Sequence, residues 1–287
     1  MREITQKDIK DIYITRPAES RKYDFGLMLV IGGSDFYSGA PALAAMAGLR
    51  AGLDVARIIA PRRASDIIAS FSPTLSSYGI GDDHIEPEHV ALLVTRTLSA
   101  KESARGNAAV VIGGGLGRDQ QTQNAVKEYL SQIDVPCVID ADAVYAVAEQ
   151  PDVLAGKPFV VTAHSREFEV LTGKNVLGIS EQEKIQIVQE QAARFQTTIM
   201  LKGNVDIISD GITSILDRAG TPYMTAGGTG DTLAGIVGAL LARGIIPLEA
   251  AAAGAYINGK AGELASKKFK DSLIATDLID EISNVIG

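Results

Sequence analysis

Short, unbroken apolar runs recur along this chain, separated by longer stretches of helical periodicity. No other feature of the sequence limits the possible folds as much. Strands are predicted at Gly26–Gly32, Val55–Ala60, Ala108–Gly113, Cys137–Asp140, Phe159–Thr162, Thr198–Lys202 and Val205–Ser209. Runs such as Val110-Val-Ile112 and Phe159-Val-Val161 are continuous rather than alternating. Strands of that kind are covered on both faces, as in a parallel sheet. Helices are predicted at Gly39–Gly52, Ser180–Phe195 and Asp231–Arg243. The second opens with a Ser180-x-x-Glu183 capping box and carries Ile185, Val188, Ala192 and Phe195 along one stripe. Alternation of this type predicts a doubly wound α/β architecture, with a mainly parallel central sheet between helical layers. From Thr198 to Asp217 the pattern changes to β-like runs joined by Gly203-Asn204 and Asp210-Gly211, which predicts an antiparallel meander at one edge.

The chain has 287 residues, within reach of one large domain, and no Pro/Gly/Ser-rich linker divides it. We therefore expect one domain over residues 1–287. Apolar residues make up 46% and charged residues 22%, which excludes wholesale disorder. The net charge of −8 lacks the basic surplus of a general nucleic-acid binder. The single cysteine, Cys137, excludes an intrachain disulfide, and with only three histidines a structural zinc site is not expected. Neither a signal peptide nor a membrane span is expected, so the cytoplasm is the expected location. The charged runs Arg62–Asp66 and Lys267–Lys270 are expected to be solvated, and His84 and His89 to lie on the surface of a loop.

The strongest chemical signal is Gly227-Gly-Thr-Gly-Asp231, directly ahead of an amphipathic helix. Glycines let successive N–H groups converge, and the helix adds unpaired donors and the positive end of its dipole. Such a loop is an anion hole. A carboxylate beside it opposes an anion unless it has separate work. General base toward a hydroxyl attacking phosphorus fits, whereas an ordinary capping acid is the alternative.

Four further turns follow strands. Lys202-Gly-Asn-Val-Asp206 can offer a cation and bare backbone to a phosphate, or be a hairpin with a solvated lysine. Thr162-Ala-His164-Ser-Arg-Glu167 offers a donor or acceptor in His164 and a possible ligand for hydrated magnesium in Glu167, or simply a loop histidine and a first-turn helix acid. Gly113-Gly-Gly-Leu-Gly117-Arg118 resembles a dinucleotide loop, and Asp140 stands at a suitable distance. However, Arg118 occupies the position of the third glycine. Gly32-Gly-Ser-Asp-Phe-Tyr-Ser-Gly-Ala40 leaves room for a flat ligand or for tight helix packing. Together, the turns along one sheet edge point to phosphotransfer between a nucleotide and a hydroxyl.

Gly227-Gly-Thr-Gly-Asp231-Thr-Leu-Ala-Gly235 closely resembles the signature of the ADP/ATP-dependent NAD(P)H-hydrate dehydratases of the ribokinase-like superfamily. The other family segments match in order: Arg16–Gly26, Gly32-Gly-Ser with Tyr37-Ser-Gly-Ala40, Gly113–Gly117, Val138–Ala143, the His164-x-x-Glu167-Phe turn, and Lys202-Gly203. The resemblance implies a ribokinase-like α/β/α fold and repair of hydrated NADH and NADPH (NADHX and NADPHX). In such repair a nucleotide phosphorylates the ring hydroxyl and phosphate is then eliminated.

By the same resemblance, Asp231 is the base, and Gly228, Thr229 and Gly230 form the anion hole. Lys202, Gly203, Asn204, Val205, Asp206 and Gly230 contact the nucleotide. Ala40, Gly115, Gly117, His164 and Asp231 face the hydrated dinucleotide, and Glu167 supports Mg²⁺ through water. The resemblance further implies ADP or ATP as phosphoryl donor and a homotetramer, and an epimerase that pairs with the enzyme, where there is one, is expected on a separate chain. The chain departs from the family pattern at Ala163, Ser165 and Arg166 around the histidine, at Gly114 where proline is common, and at Asn204-Val205-Asp206. Competing expectations are a ribokinase-like kinase of a vitamin-precursor alcohol (hydroxymethylpyrimidine or thiazole type) and a non-catalytic nucleotide-binding regulator.

Overall fold

The computed structural model describes residues 1–287. In chain order the elements begin with β1 (Arg2–Glu3), α1 (Gln6–Ile12), β2 (Leu27–Ile31), α2 (Gly39–Arg50), β3 (Val55–Pro61), α3 (Arg62–Phe71) and β4 (Ser76–Ile80). They continue with α4 (Val90–Ser103), β5 (Ala108–Ile112), α5 (Gln120–Gln132), β6 (Cys137–Asp140), α6 (Asp142–Glu149), β7 (Phe159–His164) and α7 (Ser165–Thr172). The last are α8 (Glu181–Phe195), β8 (Thr198–Lys202), β9 (Asp206–Ser209), β10 (Ser214–Asp217), α9 (Thr229–Ala242), α10 (Pro247–Phe269) and α11 (Ala275–Ile286).

All ten strands join one sheet in the order β1-β10-β9-β8-β7-β6-β5-β2-β3-β4. Pairing is parallel from β8 through to β4, and antiparallel between β8 and β9 and between β9 and β10. Successive residues of each strand feed opposite cores. Met28 and Val30 pack with α2, α9, α10 and α11, whereas Leu27, Leu29 and Ile31 pack with α4, α5, α6, α7 and α8. Covering on both faces is why the strands read as continuous apolar runs.

Local chemistry sets several helix ends. Ser180 Oγ accepts from the Glu183 N–H at 3.3 Å while Glu183 Oε2 accepts from the Ser180 N–H at 2.8 Å, so the expected capping box forms. Pro247 opens α10, where its missing N–H costs nothing.

The structure corrects the sequence reading in five places. Strands β1 and β4 were not expected. The outermost strand at the meander edge is β1, which runs parallel to β10. Arg62–Asp66 is not merely a solvated run: it is the first turn of α3, with Ala64 and Ser65 buried beneath the exposed Arg62 and Arg63. His84 and His89 are half-buried, and His89 Nδ1 accepts from the Glu86 N–H at 3.0 Å. The Gly227–Asp231 turn does not directly follow a strand, because a 3-10 turn at Pro222–Thr225 intervenes after β10.

The chain runs outward from β2 to β4, then returns to the other side of β2 with β5 and continues to β8. The strand order therefore reverses between β2 and β5. Ligands of open α/β sheets bind outside the carboxyl ends of the strands at such a reversal.

Candidate active site

The reversal point is built from bare backbone. Gly32-Gly33 leaves β2 and Gly113–Gly117 leaves β5, and the two turns join where the Gly33 N–H donates to Gly114 O at 2.9 Å. A Cβ on Gly32 would lie 2.5 Å from that oxygen. A Cβ on Gly113 would lie 1.7 Å from Asp140 O, and its φ of +138° also favours glycine.

Asp231 stands over this backbone. It lies in the first turn of α9, with Oδ1 2.7 Å from where a Gly114 Cβ would be. Ala40 Cβ is 3.0 Å from the same point, so Ala40, Gly114 and Asp231 line one spot. Gly228 is the N-cap of α9 with φ +94°, and α2 closes behind it through Leu43. The first helical hydrogen bond runs from the Thr232 N–H to Gly228 O at 3.0 Å. The N–H groups of Thr229, Gly230 and Asp231 precede it and have no acceptor within the helix. The Thr229 hydroxyl donates back to Met224 O at 2.7 Å, which ties the loop down.

Burial pushes the Asp231 carboxyl up to about 7. Asp140 and Asp142 add to the rise and Lys202 opposes it. A carboxyl poised near neutrality suits a general base.

Lys202 ends β8 with its side chain turned inward, and Nζ lies 2.8 Å from Asp140 Oδ1 and 3.8 Å from Glu167 Oε2. Burial alone would lower the lysine pKa, but these two carboxylates outweigh it and hold the ammonium above its ordinary value. The solvated-lysine alternative is therefore excluded. Gly203 and Asn204 are exposed at the tip of the turn, and Val205 and Asp206 are half-buried. Asp206 Oδ1 accepts from the Gly203 N–H at 2.8 Å and closes the turn on itself. Burial raises the Asp206 pKa to about 6. A cavity of about 400 Å³ opens beside Lys202–Val205, lined also by Val176, Leu177 and Lys184. A larger hollow of about 620 Å³ lies around Arg243 and Phe25, at the opposite end of α9 from Asp231.

His164 caps α7: its Nδ1 accepts from the Arg166 and Glu167 N–H groups at 3.1 and 3.3 Å. Glu167 Oε2 accepts from the His164 N–H at 2.9 Å. Both ordinary readings, turn histidine and first-turn acid, therefore hold, and the lysine contact is additional to them. Gly117 donates its N–H to Asp142 Oδ2 at 2.9 Å, which latches the β5 loop to α6.

The sequence reading weighed Asp140 only as the acid of a dinucleotide loop and gave Asp142 no role. Asp140 is buried at the end of β6, where Thr162 Oγ1 and Lys202 Nζ both donate to its Oδ1. Their signal was the Asp140-Ala-Asp142 turn, in which Ala141 takes φ +49°. A non-glycine residue held there marks a strained, over-determined position.

No group of three His, Cys, Asp or Glu side chains is close enough to enclose a metal ion. The carboxylates of Asp140, Asp142, Glu167 and Asp231 nonetheless collect on one sheet edge as hard oxygen donors. They fit a magnesium ion that keeps its waters and takes its other ligands from phosphates.

Comparison with known proteins adds further findings. A family model described as NAD(P)H-hydrate dehydratase matches residues 28–284. A Nitrosopumilus maritimus protein named ADP-dependent (S)-NAD(P)H-hydrate dehydratase is 37% identical, covering 99% of this chain and 96% of that protein. A Pyrobaculum aerophilum bifunctional NAD(P)H-hydrate repair enzyme is 41% identical over 97% of this chain, which spans only 54% of that relative's length. Among solved structures, the Bacillus subtilis ADP/ATP-dependent NAD(P)H-hydrate dehydratase co-crystallized with ATP/Mg²⁺ superposes with a TM-score of 0.79 at 27% identity, covering 98% of this chain and 96% of that one. The fold also matches that of a ribokinase-like superfamily protein from Enterococcus faecalis, with a TM-score of 0.84 at 24% identity, covering 99% of this chain and 95% of that one. No helix is long and apolar enough to cross a membrane.

Proposed function

This chain belongs to the NAD(P)H-hydrate dehydratase family, and from that premise we propose that it restores NADH and NADPH from their hydrates at the expense of a nucleotide. The observation that carries the reading is Asp231, near-neutral and set against bare glycine backbone at the first turn of α9.

Asp231 takes the proton of the ring hydroxyl as that oxygen attacks the terminal phosphorus of ADP or ATP. The oxygen–phosphorus bond forms as the bond to the leaving phosphate oxygen breaks. The N–H groups of Gly228, Thr229 and Gly230 stabilise charge on the equatorial oxygens. Loss of a neighbouring ring proton with departure of phosphate then restores the double bond.

Lys202 and the Gly203–Asp206 turn hold the nucleotide beside Gly230. Ala40, Gly115, Gly117 and His164 line the dinucleotide side. Mg²⁺ would neutralise phosphate charge, held through water by Glu167 with Asp140 beside it. Lys202 keeps both carboxylates paired, so that Asp231 alone carries the base role. Residues 1–287 act as one unit, in the cytoplasm, as a homotetramer.

The test is recovery of reduced-nicotinamide absorbance from NADHX with Mg²⁺ and either ADP or ATP. Nucleotide-dependent recovery that Asp231→Asn abolishes is expected. No recovery with either nucleotide, from protein that still binds ADP, would overturn the reading.

A further inference from the structure

Between β2 and α2 the chain places two aromatic rings in solvent at the rim of the reversal point. Phe36 is 82% exposed and Tyr37 56%. Their rings meet edge to face, with centroids 4.8 Å apart and planes at 81°. Burial does not hold them in place; backbone does. The Ser34 N–H donates to Tyr37 O at 2.9 Å, and the Tyr37 N–H donates to Ser34 Oγ at 3.3 Å. The Asp35 N–H donates to Asp83 O at 2.7 Å, and Arg63 donates to Asp35 O.

The braced loop rests on the glycines of the site. A Cβ on Gly115 would fall 2.9 Å from Tyr37 Cβ, and one on Gly33 would fall 3.0 Å from Tyr37 O. Tyr37 is thus continuous with the spot lined by Ala40, Gly114 and Asp231. Two exposed rings carried on a braced backbone have only their side-chain rotamers to lose on binding, and rigid aromatic side chains contribute strongly to recognition.

We propose that Phe36 and Tyr37 form an aromatic lip that stacks on the flat ring system of the hydrated dinucleotide, on the side of the site away from the Lys202 turn. This rests on the dehydratase reading and extends it, because it assigns substrate recognition to the two aromatic side chains of the Gly32–Ala40 turn. The lip acts on dinucleotide affinity and leaves phosphoryl-donor affinity alone.

The test compares wild type with Phe36→Ala, Tyr37→Ala and Tyr37→Phe in two assays. In turnover, the alanine variants are expected to raise KM for NADHX about tenfold, with kcat and the KM for nucleotide within about twofold of wild type. Tyr37→Phe keeps the ring and is expected to restore KM. In the second assay, binding of NADH is followed by its fluorescence, which needs no turnover, and the same variants are expected to weaken it in the same order. Unchanged NADHX and NADH affinities overturn the lip even if the enzyme is active. Equal rises in both KM values, or a change in oligomeric state with KM unchanged, also overturn it. An inactive wild type whose NADH binding still depends on the rings leaves the lip standing and removes the dehydratase reading.

Discussion

Lys202 Nζ lies 2.8 Å from Asp140 Oδ1, and β7 stands between the strands that carry them. The pair is buried, with side-chain exposures of 19% and 5%, and Glu167 is the lysine's second acidic neighbour. Removing one member of a buried pair strands the other charge, at a cost of about 3–5 kcal/mol. Lys202→Ala is therefore expected to lower the urea midpoint clearly. It also removes the one cation that holds the Asp231 carboxyl down. Activity at pH 7 should fall beyond what weaker nucleotide binding explains, and saturating nucleotide should not restore it. Full rescue by excess nucleotide would mean that Lys202 serves the nucleotide alone.

The Asp231 carboxyl, pushed up to about 7, predicts the pH dependence of the reaction. In the proposed role Asp231 must be ionised to act, so kcat/KM is expected to rise about tenfold per pH unit from 5 and to level off above 7. Neighbouring charges should move this limb in opposite directions. Asp140→Asn removes an acid that raises the Asp231 value, so the midpoint should move down, whereas Lys202→Ala should move it up. The shift for Asp140→Asn is only partial, because burial is the largest cause. A limb near pH 4, where a solvated carboxylate titrates, is incompatible with Asp231 as the base.

Gly235 decides how closely α9 can approach α2. A Cβ there would sit 2.0 Å from Ala44 O and 2.7 Å from Ala44 C. Alanine normally improves a helix by about 1 kcal/mol over glycine. Here the obstacle is backbone, which cannot swing aside as a side-chain end can. Overpacking of about 1–3 kcal/mol or more outweighs the propensity gain. Gly235→Ala is expected to destabilise by at least about 1 kcal/mol in urea unfolding. Activity should fall as well, since α9 carries Asp231. A stabilised variant would show that the two helices separate easily.

The elements that the sequence revealed were those whose chemistry is local. Continuous apolar runs marked β2, β5, β6, β7 and β8 because both of their faces are covered, and Ser180 with Glu183 marked the start of α8 through contacts three residues apart. Strand β4 was hidden because it lies at an edge: in Ser76-Ser-Tyr-Gly-Ile80 only Ile80 is buried, and there is no apolar run. Strand β1 has two residues and pairs with Ile215 and Leu216, far away in sequence and beyond any local signal. The glycine turns and Asp231 stood out in composition. The pairing of Lys202 with Asp140 did not, because 62 residues separate them and only the sheet order brings them together.

Asp231→Asn separates the demands of stability from those of catalysis. The folded protein holds this carboxyl at about 7, against an ordinary value of 3.8, so the fold favours its neutral form. That contribution to stability is fully present below pH 3.8 and is lost as pH rises through 7. Above pH 7 the fold carries an ionised carboxylate that is short of water and repelled by Asp140 and Asp142. Asparagine keeps the shape of the neutral acid. Melting curves are expected to place Asp231→Asn about 3–6 °C above wild type at pH 8, and level with it at pH 4. The same variant should lose at least about 10²-fold in turnover while still binding ADP, since removal of a general base costs about that much or more. Equal melting temperatures at pH 8 would mean that Asp231 is well solvated in the folded protein, and its elevated pKa would then fall with it.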